Sequence, residues 1–395
     1  MSGNGYFVNT TSGAVTMTLP ASPSAGDIVS VKDYAYTFAT NNLTVGRNGS
    51  PIGGDTGTNP TYDVNGTSKT FIYVDGTKGW LVVNESTDTS TAESSAYISA
   101  TGGTITTVCT NYKVHTFTSP GTFCISAGAG ALSFLDYTVV AGGGSGSCET
   151  GPGGVSGGGG AGGFRESKNA CYSGCWAASP LASSTSLGPF SGPVAIPVTV
   201  GGGGAVGSSG SNSVFSTITS AGGGDGTSAG QSPQAGTAGG SGGGGGVCAG
   251  TGGAGNTPAV SPSQGQPGGA AKTCTSDTSD SGGGGGGALV AGSNASNPTG
   301  PSGAGGNGAA TLINPATGEP SGCTQYYAGG GGGGCNTCNN GSSVGGLGGG
   351  APGRGSSGAG VSADANTGGG GGGATGGWCG GAGGSGIVII RYKYQ

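Results

Sequence analysis

The chain has 395 residues, of which 102 are glycine and 19 are proline, and only 7% are charged. Consecutive glycines without a Gly-X-Y repeat exclude a collagen triple helix, and the low charge argues against plain disorder. The net charge of −5 and the lack of a long apolar run lead us to expect neither nucleic-acid binding nor membrane insertion.

Residues 1–97 are predicted to form a separate β module that ends in a polar linker. Stretches rich in β-branched and aromatic residues alternate there with Gly, Asn, Asp and Pro, as strands alternate with turns. The segment DGTKG at 75–79 has the composition of a hairpin turn. Because so small a module buries little apolar surface, we expect it to associate, as a homotrimer. The predicted strands are 14–20, 27–39, 43–48, 70–75 and 80–85.

Residues 98–140 are predicted to begin a β-sandwich that 194–220 and 386–395 complete. The glycine-rich tract leaves one of its strands and returns to another, so the sandwich should form a base for that tract. The predicted strands are 104–109, 112–117, 122–126, 132–140, 194–200, 213–220 and 386–395. The expected core residues are Leu135, Tyr137, Val139, Val198, Val200, Phe215, Ile218, Ile387, Ile389 and Tyr392.

Residues 141–386 are predicted to form a bundle of polyglycine-II helices. Glycine runs such as 282–287 and 329–334 recur between stretches rich in Ser, Thr, Asn, Pro and Cys. A polyproline-II chain has three residues per turn and makes no internal hydrogen bonds, so every amide needs a partner outside its own segment. Without Cβ atoms, neighbouring rods approach closely enough to supply that partner. The expected fold is therefore mainly β and irregular, with almost no α-helix.

Counting the glycine blocks as alternating crossings of the bundle predicts which connections share an end. The first block leaves the base strand, so the next connection should lie at the far end, and later connections should alternate. Long connections on a rigid scaffold are typical places for binding. The far end should carry 148–156, 227–237, 257–281, 309–328 and 351–367. The base should carry 247–251, 288–302, 335–344 and 374–379.

The sequence resembles the glycine-rich tail-fibre adhesins of bacteriophages, especially those of marine phages. The resemblance covers roughly 112–395, and the stretches 26–52 and 71–83 are similar to repeating modules of phage fibre proteins. The segments that carry it are LDYTVVAGGGSGS (135–147), GGGGAGGFRES (157–167), VAIPVTVGGGGAVG (194–207), GSNSVFSTITSAGGG (210–224) and GGSGIVIIRYKY (383–394).

The resemblance implies a polyglycine-II sandwich whose far-end loops contact an outer-membrane protein or a polysaccharide of the host. It also implies location in the virion tail fibre, with other tail-fibre or baseplate proteins as partners. Because the N-terminus shows no secretory signal, we expect such a protein to become extracellular by cell lysis. Two alternatives remain open: a structural fibre without a specific receptor, and an ice-binding polyglycine-II protein, which the long loops disfavour.

Eleven cysteines leave an odd one, and two readings of them stay open. The first reading is disulfides that restrain the glycine-rich loops, with Cys109–Cys124 as the first expected pair. The second is a metal site, because Cys335 and Cys338 form a C-x-x-C motif and Cys171 with Cys175 offer a second pair. The first reading is favoured, so no metal is assigned. The disulfide candidates are Cys109, Cys124, Cys171, Cys175, Cys335 and Cys338.

No catalytic motif is present, and we expect neither enzyme activity nor a cofactor. The glycine runs lack the phosphate-loop pattern, and His115 is the only histidine. Asp277 and Asp280 could bind calcium, although such a loop is more often simply solvated. Aromatic and polar residues of the predicted far end are candidates for receptor contact: Asp277, Asp280, Asn314, Tyr326, Tyr327, Arg354 and Asp364. Trp176 and Trp378 are expected at the base, as hydrophobic caps.

Overall fold

The computed structural model contains strands and irregular segments, with no helix in the part of the chain that it describes. None of that part could therefore cross a membrane as an apolar helix. The chain divides into two units, Met1–Ser94 and Ser95–Gln395. The described residues are 3–87, 97–128, 133–148, 154–169, 176–190, 192–227, 235–247, 250–272, 280–296, 301–336, 343–355 and 358–394.

Two small sheets pack around one apolar core in the first unit. Their orders are β1-β3-β6-β7 and β2-β4-β5, and Phe38, Phe71 and Trp80 are fully buried in the core. The strands are β1 (Asn4–Val8), β2 (Val15–Thr18), β3 (Ile28–Asp33), β4 (Leu43–Gly46), β5 (Thr61–Tyr62), β6 (Thr67–Asp75) and β7 (Gly79–Thr87).

Two aspartates set the turns of this unit. The predicted hairpin at 75–79 is confirmed: Asp75 pairs with Gly79, and its Oδ1 accepts the N–H of Lys78 at 2.7 Å. The strand predicted over 27–39 ends earlier, at Asp33. The buried Asp33 carboxylate accepts the N–H of Phe38 at 3.2 Å and that of Thr37 at 3.3 Å, which turns the chain out of the sheet.

The second unit has a base of two stacked sheets. One has the order β14-β13-β12-β21-β10-β9, and the other has the order β17-β16-β15-β11-β8. A third sheet has the order β18-β20-β19. The strands are β8 (Ser99–Thr101), β9 (Thr104–Val108), β10 (Tyr112–Phe117), β11 (Gly121–Ala127), β12 (Asp136–Val140), β13 (Phe164–Ser167), β14 (Ala182–Ser183), β15 (Val194–Thr199), β16 (Ser213–Phe215), β17 (Ile218–Ser220), β18 (Ala309–Thr311), β19 (Glu319–Ser321), β20 (Thr324–Tyr327) and β21 (Ile387–Lys393).

The β21 strand is buried on both faces, which corrects part of the predicted core. Tyr392 belongs to the core between the two base sheets, as predicted, and Ile218 packs against that core partly buried. Ile387 and Ile389 are fully buried but belong to a second cluster on the other face. Successive side chains of a strand alternate between faces, so these two isoleucines cannot share a core with Tyr392.

The segment 156–163 shows how the glycine-rich region is ordered. Its amides donate in rotation to three neighbours at 2.8–3.1 Å, so every third amide reaches the same segment. The three acceptors are 368–374, 221–227 and 283–286. None of Gly157 to Gly163 has a positive φ. A three-residue repeat of lateral hydrogen bonds is the polyglycine-II arrangement, so the predicted bundle is confirmed.

The direction of each rod follows from its hydrogen bonds. We call the end that adjoins β12, β13 and β21 the base end, and the opposite end the tip end. The segment 156–163 runs towards the base end, because it leads into β13. Segments that pair with it in parallel run the same way, and antiparallel partners run towards the tip. The crossings in the described residues are 141–147, 156–163, 201–204, 208–211, 221–227, 236–240, 241–246, 250–256, 264–271, 281–287, 292–296, 301–308, 328–335, 343–347, 350–354, 358–364, 368–375 and 379–386.

These crossings overturn much of the predicted placement of the connections. The segment 309–328 lies at the base end, because Leu312 donates its N–H to the carbonyl of Ala177 at 2.8 Å and Arg391 Nη1 donates to that of Ile313 at 3.3 Å. Three other predicted connections each contain a crossing, so their parts lie at different ends of the bundle. They are 257–281, 288–302 and 351–367. Three connections that were predicted at the base have described residues at the tip end instead: 247–251, 335–344 and 374–379.

Candidate functional site

In the described residues, the tip end consists of connections between rods. β8 and β21, the first and last strands of the second unit, both belong to the base sheets. The bundle thus holds a set of connections at the end opposite to these two strands. Its described members are Cys148, Gly154–Val155, 205–207, Val247, Asp280–Ser281, Cys335–Asn336, Arg354–Gly355, Gly358 and 375–379.

Cross-links tie the tip connections to one another. A disulfide joins Cys148 to Cys379 across a sequence separation of 231 residues. Beside it, the N–H of Gly380 donates to the carbonyl of Ser147 at 3.0 Å. Isolated bridges pair Thr375 with Val155 and with Gly358. The first and last rods are therefore clamped together where they reach the tip.

Trp378 is the largest apolar side chain exposed at the described part of the tip. Its side chain is 53% exposed, and it follows Gly376 and Gly377, whose φ values are 65° and 82°. These left-handed glycines turn the chain back into the bundle and leave the indole outside. The prediction of a basal cap was wrong for Trp378, because 379–386 is a further crossing. Trp176 is buried in the base cluster that contains Phe164.

Two of the predicted receptor-contact residues, Asp280 and Arg354, lie at the tip. The carbonyl of Arg354 accepts the N–H of Cys335 at 2.9 Å, and that of Asp280 accepts the N–H of Asn336 at 3.1 Å. The Arg354 side chain is exposed and donates from Nε to the carbonyl of Ala359 at 3.0 Å. Asp277 lies outside the described residues.

The other four predicted contacts lie at the base end, which corrects their assignment to the tip. Asn314 is buried and donates from Nδ2 to Thr116 Oγ1 at 3.0 Å. Tyr327 is fully buried, 2.7 Å from the Thr317 hydroxyl, and Tyr326 pairs with Ala310 in the same sheet. Asp364 ends the crossing 358–364 at the base, where its N–H donates to the carbonyl of Gly349 at 3.1 Å.

The expected pair Cys109–Cys124 does not form: both thiols are free. Cys109 lies in the turn between β9 and β10, whereas Cys124 lies in β11 of the other base sheet. Cys335 is disulfide-bonded, so its sulfur is not a free thiol. Cys171, Cys175 and Cys338 lie outside the described residues. The bond between Cys148 and Cys379 was missed, although each flanks a glycine run.

Polar side chains are also buried in the base, among them His115, Arg391 and Glu166. His115 Nδ1 lies 2.7 Å from the carbonyl oxygen of Gly102, and its Nε2 lies 3.0 Å from the Tyr392 hydroxyl. Burial lowers the pKa of His115. Arg391 is almost fully buried, with Cζ 4.7 Å from the centre of the Tyr112 ring. These contacts join strands of the base.

Glu166 is a buried carboxyl that accepts hydrogen bonds from its neighbours. Its Oε2 accepts the N–H of Ser179 at 2.7 Å, and its Oε1 accepts the Thr138 hydroxyl at 3.3 Å. Burial raises the pKa of this carboxyl to about 7, although hydrogen bonds from Ser179, Thr311 and Thr138 act to lower it. Within the described residues, no three His, Cys, Asp or Glu side chains are grouped so as to hold a metal ion.

Residues 116–393 match the family model of a glycine-rich domain. Because this match covers more than half of the chain, the protein belongs to the glycine-rich domain family. No curated protein matches the chain. The matched range begins in β10 and ends in β21, so it includes the glycine-rich bundle and the base strands that enclose it.

Proposed function

We propose that this chain is a bacteriophage tail-fibre adhesin that presents the tip end of its glycine-rich bundle to a protein or polysaccharide on the host surface. The observation that carries the proposal is the placement of β8 and β21, the first and last strands of the second unit, in the base sheets. In the described residues, the opposite end is left to connections between rods. The first unit then serves to join the chain to other tail-fibre or baseplate proteins, and the adhesin acts within the virion and after release by lysis.

The rigidity of the bundle supports a display role. Its rods are fixed by lateral backbone hydrogen bonds, and the Cys148–Cys379 disulfide fixes the tip end of two of them. A binding surface that is ordered beforehand loses less conformational entropy when it binds. Exposed aromatic and arginine side chains dominate binding energy at many interfaces, and Trp378 and Arg354 supply both kinds at this end.

Binding of the full-length labelled chain to a panel of candidate bacterial hosts, measured by flow cytometry, tests the proposal. We expect binding to at least one isolate. Trp378→Ala and Arg354→Ala should weaken that binding by about tenfold or more, the usual effect of losing a central contact. Val290→Ala is the matched control, because Val290 is 49% exposed at the base end.

Two results would contradict the proposal. If no isolate binds the chain, a structural fibre without a specific receptor becomes the better explanation. If Val290→Ala weakens binding as much as the two tip variants, the contact surface is not the tip end.

A further inference from the structure

Among the described residues of the first unit, strand β1 is an open edge. It is the first strand in the order β1-β3-β6-β7 and pairs only with β3, in parallel. Natural sheets protect their edges with charged side chains, proline, bulges or a covering loop. The sequence of β1 is NGYFV, which has no charge and no proline, and its pairing with β3 runs without a register shift.

The side chains of β1 are unusually exposed for aromatic residues. Phe7 is 75% exposed, and Tyr6 is 38% exposed. The two rings point to opposite faces of the sheet, because neighbouring residues of a strand alternate. Tyr6 pairs with the buried Val31 and so stands on the core side, whereas Phe7 pairs with Lys32 on the outer side.

The backbone of β1 offers two residues for further pairing. The carbonyl of Val8 accepts the N–H of Tyr34 at 2.9 Å, so Val8 turns its polar groups towards β3. Backbone groups alternate in direction along a strand, so Gly5 and Phe7 turn their N–H and C=O groups away from β3. No described residue of the first unit donates to or accepts from these groups.

We propose that β1 pairs antiparallel with β1 of a second copy of this chain, across a two-fold axis at Tyr6, so that the chain forms a dimer in place of the homotrimer expected from the small size of the first unit. In this register Gly5 stands opposite Phe7 of the second copy, and each pair exchanges two backbone hydrogen bonds. Gly5 and Phe7, whose backbone N–H and C=O groups point away from β3, are thus the two residues that pair across the axis. A two-fold interface requires such self-complementarity, because the same patch appears on both copies.

The side chains fit the same register. A Cβ placed on Gly5 would meet nothing within 4 Å, so the surface beside it is open. Phe7 of the second copy would cover that open glycine, an arrangement in which an aromatic ring shields a strand glycine from water. On the other face, the two Tyr6 rings become direct cross-strand neighbours, a favourable aromatic pair.

The other edge of the sheet explains why β1 is the edge that pairs. Strand β7 is covered near Trp80, whose N–H donates to the carbonyl of Pro51 and whose carbonyl accepts the N–H of Gly53, both at 2.8 Å. Its register with β6 also shifts opposite Thr70 and Phe71, as in a β-bulge. Both features protect an edge strand, whereas β1 has neither.

Sedimentation equilibrium of the full-length chain tests the pairing. We expect a dimer, and Phe7→Lys or Gly5→Glu should each weaken the dimer at least tenfold. Neither variant should unfold the unit, because Phe7 is exposed and Gly5 has open space. Val64→Lys, at a site that is 47% exposed in the same unit, should leave the dimer intact.

The double variant Gly5→Glu with Phe7→Lys provides the sharper test. In the proposed register each introduced glutamate lies opposite an introduced lysine of the other copy, so two cross-strand ion pairs should restore the dimer. A wild-type monomer or trimer, a Phe7→Lys chain that remains dimeric, or a double variant that stays monomeric would each overturn the proposal.

Cross-linking locates the axis independently. Directly opposite residues that are not hydrogen-bonded have Cα atoms about 4.5 Å apart, within disulfide range. Tyr6→Cys should therefore form a 6–6 disulfide on oxidation, and Asn4→Cys should not link to itself. Peptide mass spectrometry distinguishes this link from products of the exposed Cys109 and Cys323. Absence of the 6–6 link, or an equal yield of a 4–4 link, would rule out the register.

Discussion

The N–H of Gly159 lies 2.8 Å from the carbonyl oxygen of Gly371, and this contact joins rods from opposite ends of the glycine-rich sequence. A Cβ placed on Gly159 would lie only 2.1 Å from the carbonyl oxygen of Gly144. The contacting atom belongs to another backbone, which cannot rotate away as a flexible side chain can. The rods can therefore form these lateral hydrogen bonds only where their residues carry no side chain.

Gly159→Ala should strongly destabilise the second unit. The added methyl group must push two rods apart and stretch the hydrogen bonds on both sides, at a cost of about 3 kcal/mol. Gly202→Ala is the matched control, because a Cβ there meets nothing within 4 Å. Its stability should be unchanged or raised by up to about 1 kcal/mol. Calorimetric unfolding of both full-length variants measures the difference, and equal stability of the two would contradict the packing.

Removing the Cys148–Cys379 disulfide should lower the melting temperature of the second unit. The bond closes a loop with a sequence separation of 231 residues, for which the chain-entropy relation gives about 5.5 kcal/mol. The variant Cys148→Ser/Cys379→Ser measures this loss without touching the disulfide of Cys335. Cys109→Ser/Cys323→Ser is the control, because both of those thiols are free and exposed. A melting temperature that falls equally in both variants would show that the disulfide is not the cause.

Glu166 should make the second unit less stable as the pH rises towards neutrality. Its pKa is raised from 4.5 to about 7 in the folded chain, so the folded state holds a proton that the unfolded state has lost. Stability is therefore full below about pH 4.5 and falls by roughly 3 kcal/mol as the pH rises through 7. Urea unfolding at a series of pH values measures this slope.

Glu166→Gln isolates the carboxyl from other titrating groups. The variant keeps the hydrogen bond from Ser179 but cannot ionise, so its stability should not fall between pH 4.5 and 7. His115 acts in the opposite sense: burial lowers its pKa, so its stabilising effect is lost as the pH falls. The difference between variant and wild type removes that background. If both curves have the same slope, Glu166 does not ionise in this range.

The sequence was sufficient to predict the rods, because their chemistry is local. Only side-chain-free residues such as Gly157–Gly160 allow neighbouring backbones to hydrogen-bond on every side. The strands that enclose the tract were equally visible, since Tyr137, Val139 and their neighbours alternate as strand residues do. These features depend on residue type alone, and so they do not require knowledge of which segments become neighbours.

The ends of the rods were harder to predict, because a rod at the surface of the bundle needs glycine only where it faces inwards. The segment 358–364 crosses the bundle although it includes Val361, Ser362 and Ala363. A Cβ on Gly360 would meet the carbonyl oxygen of Gly372 at 2.2 Å, whereas Ser362 is exposed. Counting glycine runs omits such crossings. This omission placed Trp378 at the wrong end.

Tyr327→Phe should separate a structural role at the base from a binding role at the tip. The phenol oxygen of Tyr327 lies 2.7 Å from the Thr317 hydroxyl, and the side chain is fully buried. Losing one buried hydrogen bond should cost the second unit about 1 kcal/mol. The neighbouring Tyr326 is partly exposed, so Tyr326→Phe should change stability by less than about 0.5 kcal/mol. Calorimetry of the two variants measures both effects.

A buried base residue cannot touch a host surface, so the Tyr327→Phe variant should bind cells as the wild type does. If this variant loses cell binding while its stability is unchanged, Tyr327 belongs to the contact surface after all.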